Sequence, residues 1–82
     1  MTLEAACASA DQLTPREAEL VALLMHGASS TKTLCRELGV KANTVHYYLA
    51  GVFAKLGCED RVQVVSYAWR KGVVVGNRWV PR

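Results

Sequence analysis

The sequence lacks the features that would place it in most functional classes. Its three cysteines, Cys7, Cys35 and Cys58, are odd in number and widely spaced. That is no disulfide framework, and it fits a reducing compartment. None stands in a C-x-x-C pair, and His26 and His46 form no H-x-x-x-H pair, so no metal site is expected. No stretch approaches the ~20 apolar residues that cross a bilayer. The opening MTLEAACASADQL has no basic segment ahead of an apolar one. A secretory leader and a membrane role are therefore not expected, and a cytoplasmic location is. A Gly-rich phosphate loop, an ordered Ser/His/Asp or Cys/His set, and any acidic pair beyond Glu59-Asp60 are missing. Neither catalysis nor a cofactor is expected. Internal repeats and low-complexity linkers are also missing. With Met1 as first residue, a complete chain is favoured over a fragment.

What is present fits one small domain. The 82 residues are 51% hydrophobic, too apolar for a disordered chain but enough only for a modest core. The net charge of +3 is unevenly spread. Residues 1–28 set Arg16 against Glu4, Asp11, Glu17 and Glu19, whereas residues 29–58 set Lys32, Arg36, Lys41 and Lys55 against Glu37. Residues 61–82 carry Arg61, Arg70, Lys71, Arg78 and Arg82 and no acid. Phosphate neutralisation needs such a gradient, and an ordinary solvated surface produces it too.

The spacing predicts an all-α domain of four helices, with a short C-terminal β-hairpin as an optional addition. Residues 1–12 read as an Ala-rich arm, 13–72 as the helical domain and 73–82 as a tail. Thr14, Pro15 and Glu17 form a capping box that starts the first helix. Leu20, Val21, Leu23, Leu24 and Met25 supply its apolar stripe, with Glu17 and Glu19 toward solvent, and His26-Gly27 ends it. Ser29, Ser30 and Thr31 can cap a second helix over Thr31–Leu38, and Gly39 supplies a tight turn. A third helix runs over 42–56. Val45, Tyr48, Leu49, Val52, Phe53 and Leu56 are expected inside; Asn43, His46, Tyr47, Ala50 and Ala54 form the opposite stripe. A fourth helix covers about 60–71, with Val62, Val65, Ala68 and Trp69 on one side. Val73–Val75 and Arg78–Val80 flank Gly76-Asn77, a hairpin signal. So short a hairpin must pack on the fourth helix, where it would seal the underside of Trp69, or on a partner.

Two helices joined by a short Gly-containing turn make a helix-turn-helix, whose second helix lies in a DNA major groove. The blocks LTPREAELVALLMHG, TKTLCRELGV, TVHYYLAGVFAKLG and RVQVVSYAWRKG, in that order, resemble the LuxR/GerE-type helix-turn-helix domain. The resemblance covers roughly residues 13–73. It implies a stand-alone, four-helix bacterial or phage transcription regulator. Such a protein binds double-stranded DNA as a homodimer through the fourth helix (here Val62, Val65 and Trp69), with the tail as a possible extension. Carried over by position, Thr31, Lys32, Lys41, Thr44 and Lys55 fall on the phosphate backbone, and Asn43, His46, Tyr47 and Ala50 on base edges. Three positions depart from the pattern. His46 stands where Lys or Arg is usual, Tyr48 where His is usual, and Lys41 where a capping Ser is common. There is also one extra residue within 27–30. Without a basic reader, bidentate readout of guanine is not expected from His46. Asn43 can still pair with adenine, and Tyr47 can meet a thymine methyl or a phosphate.

Three other readings share these residues. A protein-interaction module, or an antagonist of another regulator, could keep the scaffold and use the uncharged Asn43–Ala50 face on a protein. A winged helix would use the tail hairpin as a wing carrying Arg78. A promoter-recognition domain of sigma-factor type has a similar helix-turn-helix, but Lys55-Leu56-Gly57 and Arg61-x-Gln63 favour the regulator family.

Overall fold

The computed structural model describes residues 13–28 and 30–81; the expected arm over 1–12, with Cys7, and the capping role of Ser29 lie outside them. Helix α1 spans Pro15–Met25, α2 Thr31–Leu38, α3 Ala42–Leu56 and α4 Arg61–Lys71. Strands β1 (Gly72–Val75) and β2 (Arg78–Pro81) pair antiparallel, with Val73 opposite Val80 and Val74 opposite Trp79. The four-helix domain and its hairpin are thus both present.

Local chemistry sets each boundary. Thr14 Oγ1 accepts from the Glu17 N–H at 3.2 Å, and Glu17 Oε1 accepts from the Thr14 N–H at 3.0 Å. Those two bonds satisfy donors that a helix start leaves orphaned. At the other end of α1, the Ala28 and Gly27 N–H groups donate to the Leu23 and Leu24 carbonyls, a Schellman closure. Ser30 is the hydroxyl that caps α2, and Gly39 turns the chain at φ 70°. Lys41 offers no side-chain cap to α3. Asp60 caps α4 through the Gln63 N–H.

The core draws Leu20, Val21 and Leu24 from α1, Leu34 and Leu38 from α2, and Val45, Leu49, Val52 and Leu56 from α3. Tyr48 and Phe53, expected inside, are half-buried at its margin. The expectation for α4 needs correction. Val64 and Ala68, one turn apart, are the fully buried pair; Val62 and Trp69 stay exposed. A buried i, i+4 pair turns Val62 and Trp69 away from the core, leaves Val65 at its margin and separates Ala68 from them.

The hairpin's anchor also differs from expectation. Trp79, not Trp69, is the sealed aromatic, at 2% exposure. Its Nε1 donates to the Ala68 carbonyl at 3.0 Å, and its ring lies 6.2 Å from that of Tyr67. The Gly72 N–H donates to the same carbonyl and closes α4 as the chain enters β1. A side chain at Gly72 would strike the Trp79 ring and the Val80 carbonyl. β2 lies chiefly against α1, where Arg78 Nε is 3.9 Å from Glu19 Oε2. Arg78 is thus folded back on the domain, unlike the tip of a wing.

Glu17 is the second correction. Expected in solvent, it is buried beneath α3. The same Oε1 that accepts from Thr14 also accepts from Lys55 Nζ at 2.7 Å. Gly51, in the middle of α3, is where the carboxylate lies, and a Cβ there would collide with Glu17 Oε2. Glycine inside a helix costs ~1 kcal/mol relative to alanine. Here it clears the space for the carboxylate.

Two stability measurements follow from this packing. Gly51→Ala should lower the urea midpoint, by about 1–3 kcal/mol of overpacking. In a Glu17→Ala background the same change should become neutral or stabilising by up to ~1 kcal/mol. Trp79→Ala should cost about 3–5 kcal/mol in the same assay, and a midpoint unchanged by it would mean that the hairpin is not part of the core.

Candidate nucleic-acid interface

The helical period divides α3 as expected. Val45, Leu49 and Val52 face the core, whereas Asn43, His46, Tyr47, Ala50 and Ala54 are all exposed along the other side. Tyr47 is 75% exposed, and its ring sits 6.2 Å from that of Tyr48 at 55°. The stripe holds amide, imidazole, phenol and methyl groups and no permanent charge. Its chemistry is hydrogen bonding and apolar contact with a planar surface.

The expected phosphate-facing residues fall into two groups. Lys32 and Lys41 are exposed, beside Arg36 in the last turn of α2. Thr31, Thr44 and Lys55 are half-buried. Thr31 Oγ1 accepts from Arg61 Nη2 at 2.9 Å, and Lys55 is engaged by Glu17. Lys55 therefore serves the α1–α3 packing, which position alone does not reveal. The Arg61–Thr31 bond likewise has no signal in the sequence, because it joins residues 30 positions apart.

The α4 stripe is the other exposed feature. Val62 is 76% and Trp69 61% exposed, with Val65 half-buried between them. A shallow groove lined by Leu24, Arg61, Val62, Val65 and Ser66 runs beside it. A second hollow is formed by Met25, His26, Trp69, Gly72, Val73 and Val74, between α1, the end of α4 and β1. The outer hairpin face adds Val73, Val75 and Val80.

Among the described residues, no cluster of three or more His, Cys, Asp or Glu could hold a metal, and no helix is long and apolar enough to cross a membrane. Cys35 and Cys58 are half-buried free thiols against the core. Burial pushes the Cys58 thiol above its ordinary value, Asp60 adds to the shift and Arg70 opposes it.

An exposed polar stripe on the second helix of a helix-turn-helix that also exposes Lys32, Arg36 and Lys41 is the arrangement of helix-turn-helix transcription regulators. Comparison with known proteins gives the family. The model of the bacterial regulatory proteins of the luxR family, GerE, matches residues 11–68, and the chain belongs to that family. A protein of Mycobacterium tuberculosis, provisionally named an HTH-type transcriptional regulator, is 43% identical over 60 residues, 73% of this chain and 7% of its own. The transcriptional regulatory protein DesR of Bacillus subtilis is 33% identical over 63 residues, 77% of this chain and 31% of its own. The monoamine regulon transcriptional regulator of Klebsiella aerogenes is 37% identical over 57 residues, 70% of this chain and 25% of its own. The chain thus spans a third or less of the length of these relatives. No solved structure matches it significantly.

The state of Cys58 has a direct check. With its pKa raised in the fold, the thiol stays neutral, and a neutral thiol is a poor nucleophile. Iodoacetamide should alkylate Cys58 more slowly in the folded chain than in urea at the same pH. Stability should fall as pH rises from the ordinary thiol range, about 8.5, through the raised value, because the folded state then resists losing the proton. Equal alkylation rates in the two states would refute the shift.

Proposed function

We propose that the chain is a transcription regulator that binds double-stranded DNA as a dimer in the bacterial cytoplasm, with α3 in the major groove and residues 13–72 as the binding unit. The exposed, uncharged α3 stripe carries the reading, because it is the side of a recognition helix that the core leaves open. Asn43, His46, Tyr47 and Ala50 meet base edges. Lys32 and Lys41 meet phosphates directly, with Thr31, Thr44 and Lys55 nearer the protein side of that boundary. Val62, Val65 and Trp69 join two copies, and the outer valines of the tail lie next to that stripe. The two recognition helices then address half-sites about 34 Å apart.

A second reading has one observation in its favour. Tyr47 is the most exposed aromatic of a face without a lysine or arginine, and tyrosine is enriched at protein interfaces. On that reading the face binds another protein and the domain acts as an antagonist.

One titration separates the two. On a duplex selected from a random pool, affinity should fall steeply with salt, and Lys32→Ala should reduce the log–log slope by about 0.9. His46→Ala and Tyr47→Ala should each cost roughly tenfold in preference for the selected site over random DNA, and leave the slope unchanged. Binding without salt dependence, or a Tyr47→Ala variant that binds DNA normally but loses a protein complex, would favour the second reading.

A further inference from the structure

The described surface offers three features beyond the α3 stripe: the Trp69 hollow, the valine face of the hairpin, and the bond between the first residue of α4 and the first residue of α2. The hollow and the valine face adjoin the proposed dimer stripe. The bond is a separate device.

Arg61 Nη2 donates to Thr31 Oγ1 at 2.9 Å across 30 residues of sequence. Its location gives it meaning. α4 packs chiefly on α1, and α2 chiefly on α3 and α1. α3 packs on α4 directly and runs into it through residues 57–60, whereas α2 reaches α4 chiefly through α1 and α3. Arg61 makes a direct link where that indirect one is thinnest. Each end of the link adjoins a residue of a different surface: Arg61 precedes Val62 of the α4 stripe, and Thr31 precedes Lys32 of the basic flank. Both linked residues are half-buried. Guanidinium donates in a rigid plane, and a β-branched threonine has few χ1 choices, so the bond is stiff for its length.

We infer that the Arg61–Thr31 bond is a strut that sets the distance between the two DNA-facing surfaces of the dimer, with Arg61 as a positioning residue and Thr31 as its anchor. The inference rests on the dimeric DNA-binding reading above. Half-site spacing is a geometric property of the distance between recognition helices. That distance follows from how α2–α3 sits relative to the α4 stripe. With the strut in place one separation fits. Without it, α2 is held to α4 only through its packing on α1 and α3, the two-helix unit can rock against α4, and neighbouring separations are accepted.

The test compares the full chain with Thr31→Val, Arg61→Met and Thr31→Ser. The duplexes carry the selected half-sites at their native separation, or with one or two base pairs inserted, alongside a single half-site. The dimer constant is measured by sedimentation. Wild type and Thr31→Ser, which keeps the hydroxyl, should prefer the native separation strongly. Thr31→Val and Arg61→Met should lose roughly tenfold of that preference, the worth of one charge-assisted hydrogen bond. The dimer constant should stay within about twofold in every variant, and Arg61→Met, which removes no proposed DNA contact, should keep half-site affinity within about twofold as well. Weaker binding by the same factor at every separation would overturn the strut, because Arg61 would then be acting as a phosphate ligand or on stability. An unchanged preference would overturn it as well. If wild type itself binds without regard to separation, or does not bind, the dimeric reading fails and the strut fails with it. Circular dichroism melts establish that each variant is folded at the assay temperature, and Thr31→Ser keeps the comparison decisive if Arg61→Met is not.

Discussion

The fold turns on one carboxylate. Glu17 closes the capping box at the start of α1, accepts from Lys55 near the end of α3, and occupies the space that Gly51 leaves open. The pair is half in water on the lysine side, with side-chain exposures of 7% for Glu17 and 30% for Lys55. Its net contribution to stability is therefore modest, since partial desolvation offsets much of the attraction. Its geometric consequence is larger. Removing Lys55 would take a counter-ion from the buried Glu17 carboxylate, so the pair favours one crossing of α1 and α3. The orientation of the outward stripe on α3 depends on that crossing.

The hairpin solves a different problem for a chain of this size. A small helical domain exposes much of its surface and has little core to spare. Trp79 adds a large buried ring, hydrogen-bonded at its only polar atom, where α1 and α4 would otherwise show apolar surface to water. The inward face of the hairpin carries Gly72, Val74 and Trp79, and the outward face Val73, Val75 and Val80. The two faces alternate as strand geometry requires. The luxR family match ends at residue 68, so the hairpin lies beyond the matched region and extends it.

Much of this was legible in the sequence because it is local. The capping box, the glycine turns, the two stripes of α3 and the Gly76-Asn77 hairpin are set by residues within a few positions of one another. The blocks that resemble the family are local for the same reason. What was not legible depends on distant residues meeting. Glu17 occupies an N-terminal capping position that is ordinarily solvated, and only α3, 38 residues away at Lys55, covers it. Trp79 replaces Trp69 as the sealed ring because the Val64–Ala68 pair, and not the more hydrophobic Val62–Trp69 stripe, faces the core. Helical period gives the stripes but not which of two apolar ones turns inward. Of the residues assigned to phosphate by position, Lys32 and Lys41 are exposed, whereas Thr31 and Lys55 are engaged within the protein.

The exposed stripe of α3 is where the chain departs most from the pattern it otherwise follows. At His46 a short, directional imidazole stands where a long cation is usual, and sequence discrimination by hydrogen bonds and methyl contacts needs no net charge on the reader. Lys32, Arg36 and Lys41 are the exposed cations of the two-helix unit, and on the proposed reading they provide the electrostatic attraction. The most direct measurement is a titration of 15N-labelled protein with the selected duplex, followed by amide chemical shifts. The account predicts saturable shifts at Asn43, His46, Tyr47 and Ala50 and around Lys32 and Lys41, with Trp79 and the outer strand face unmoved. Shifts confined to α4 and the hairpin, or none that saturate, would contradict it.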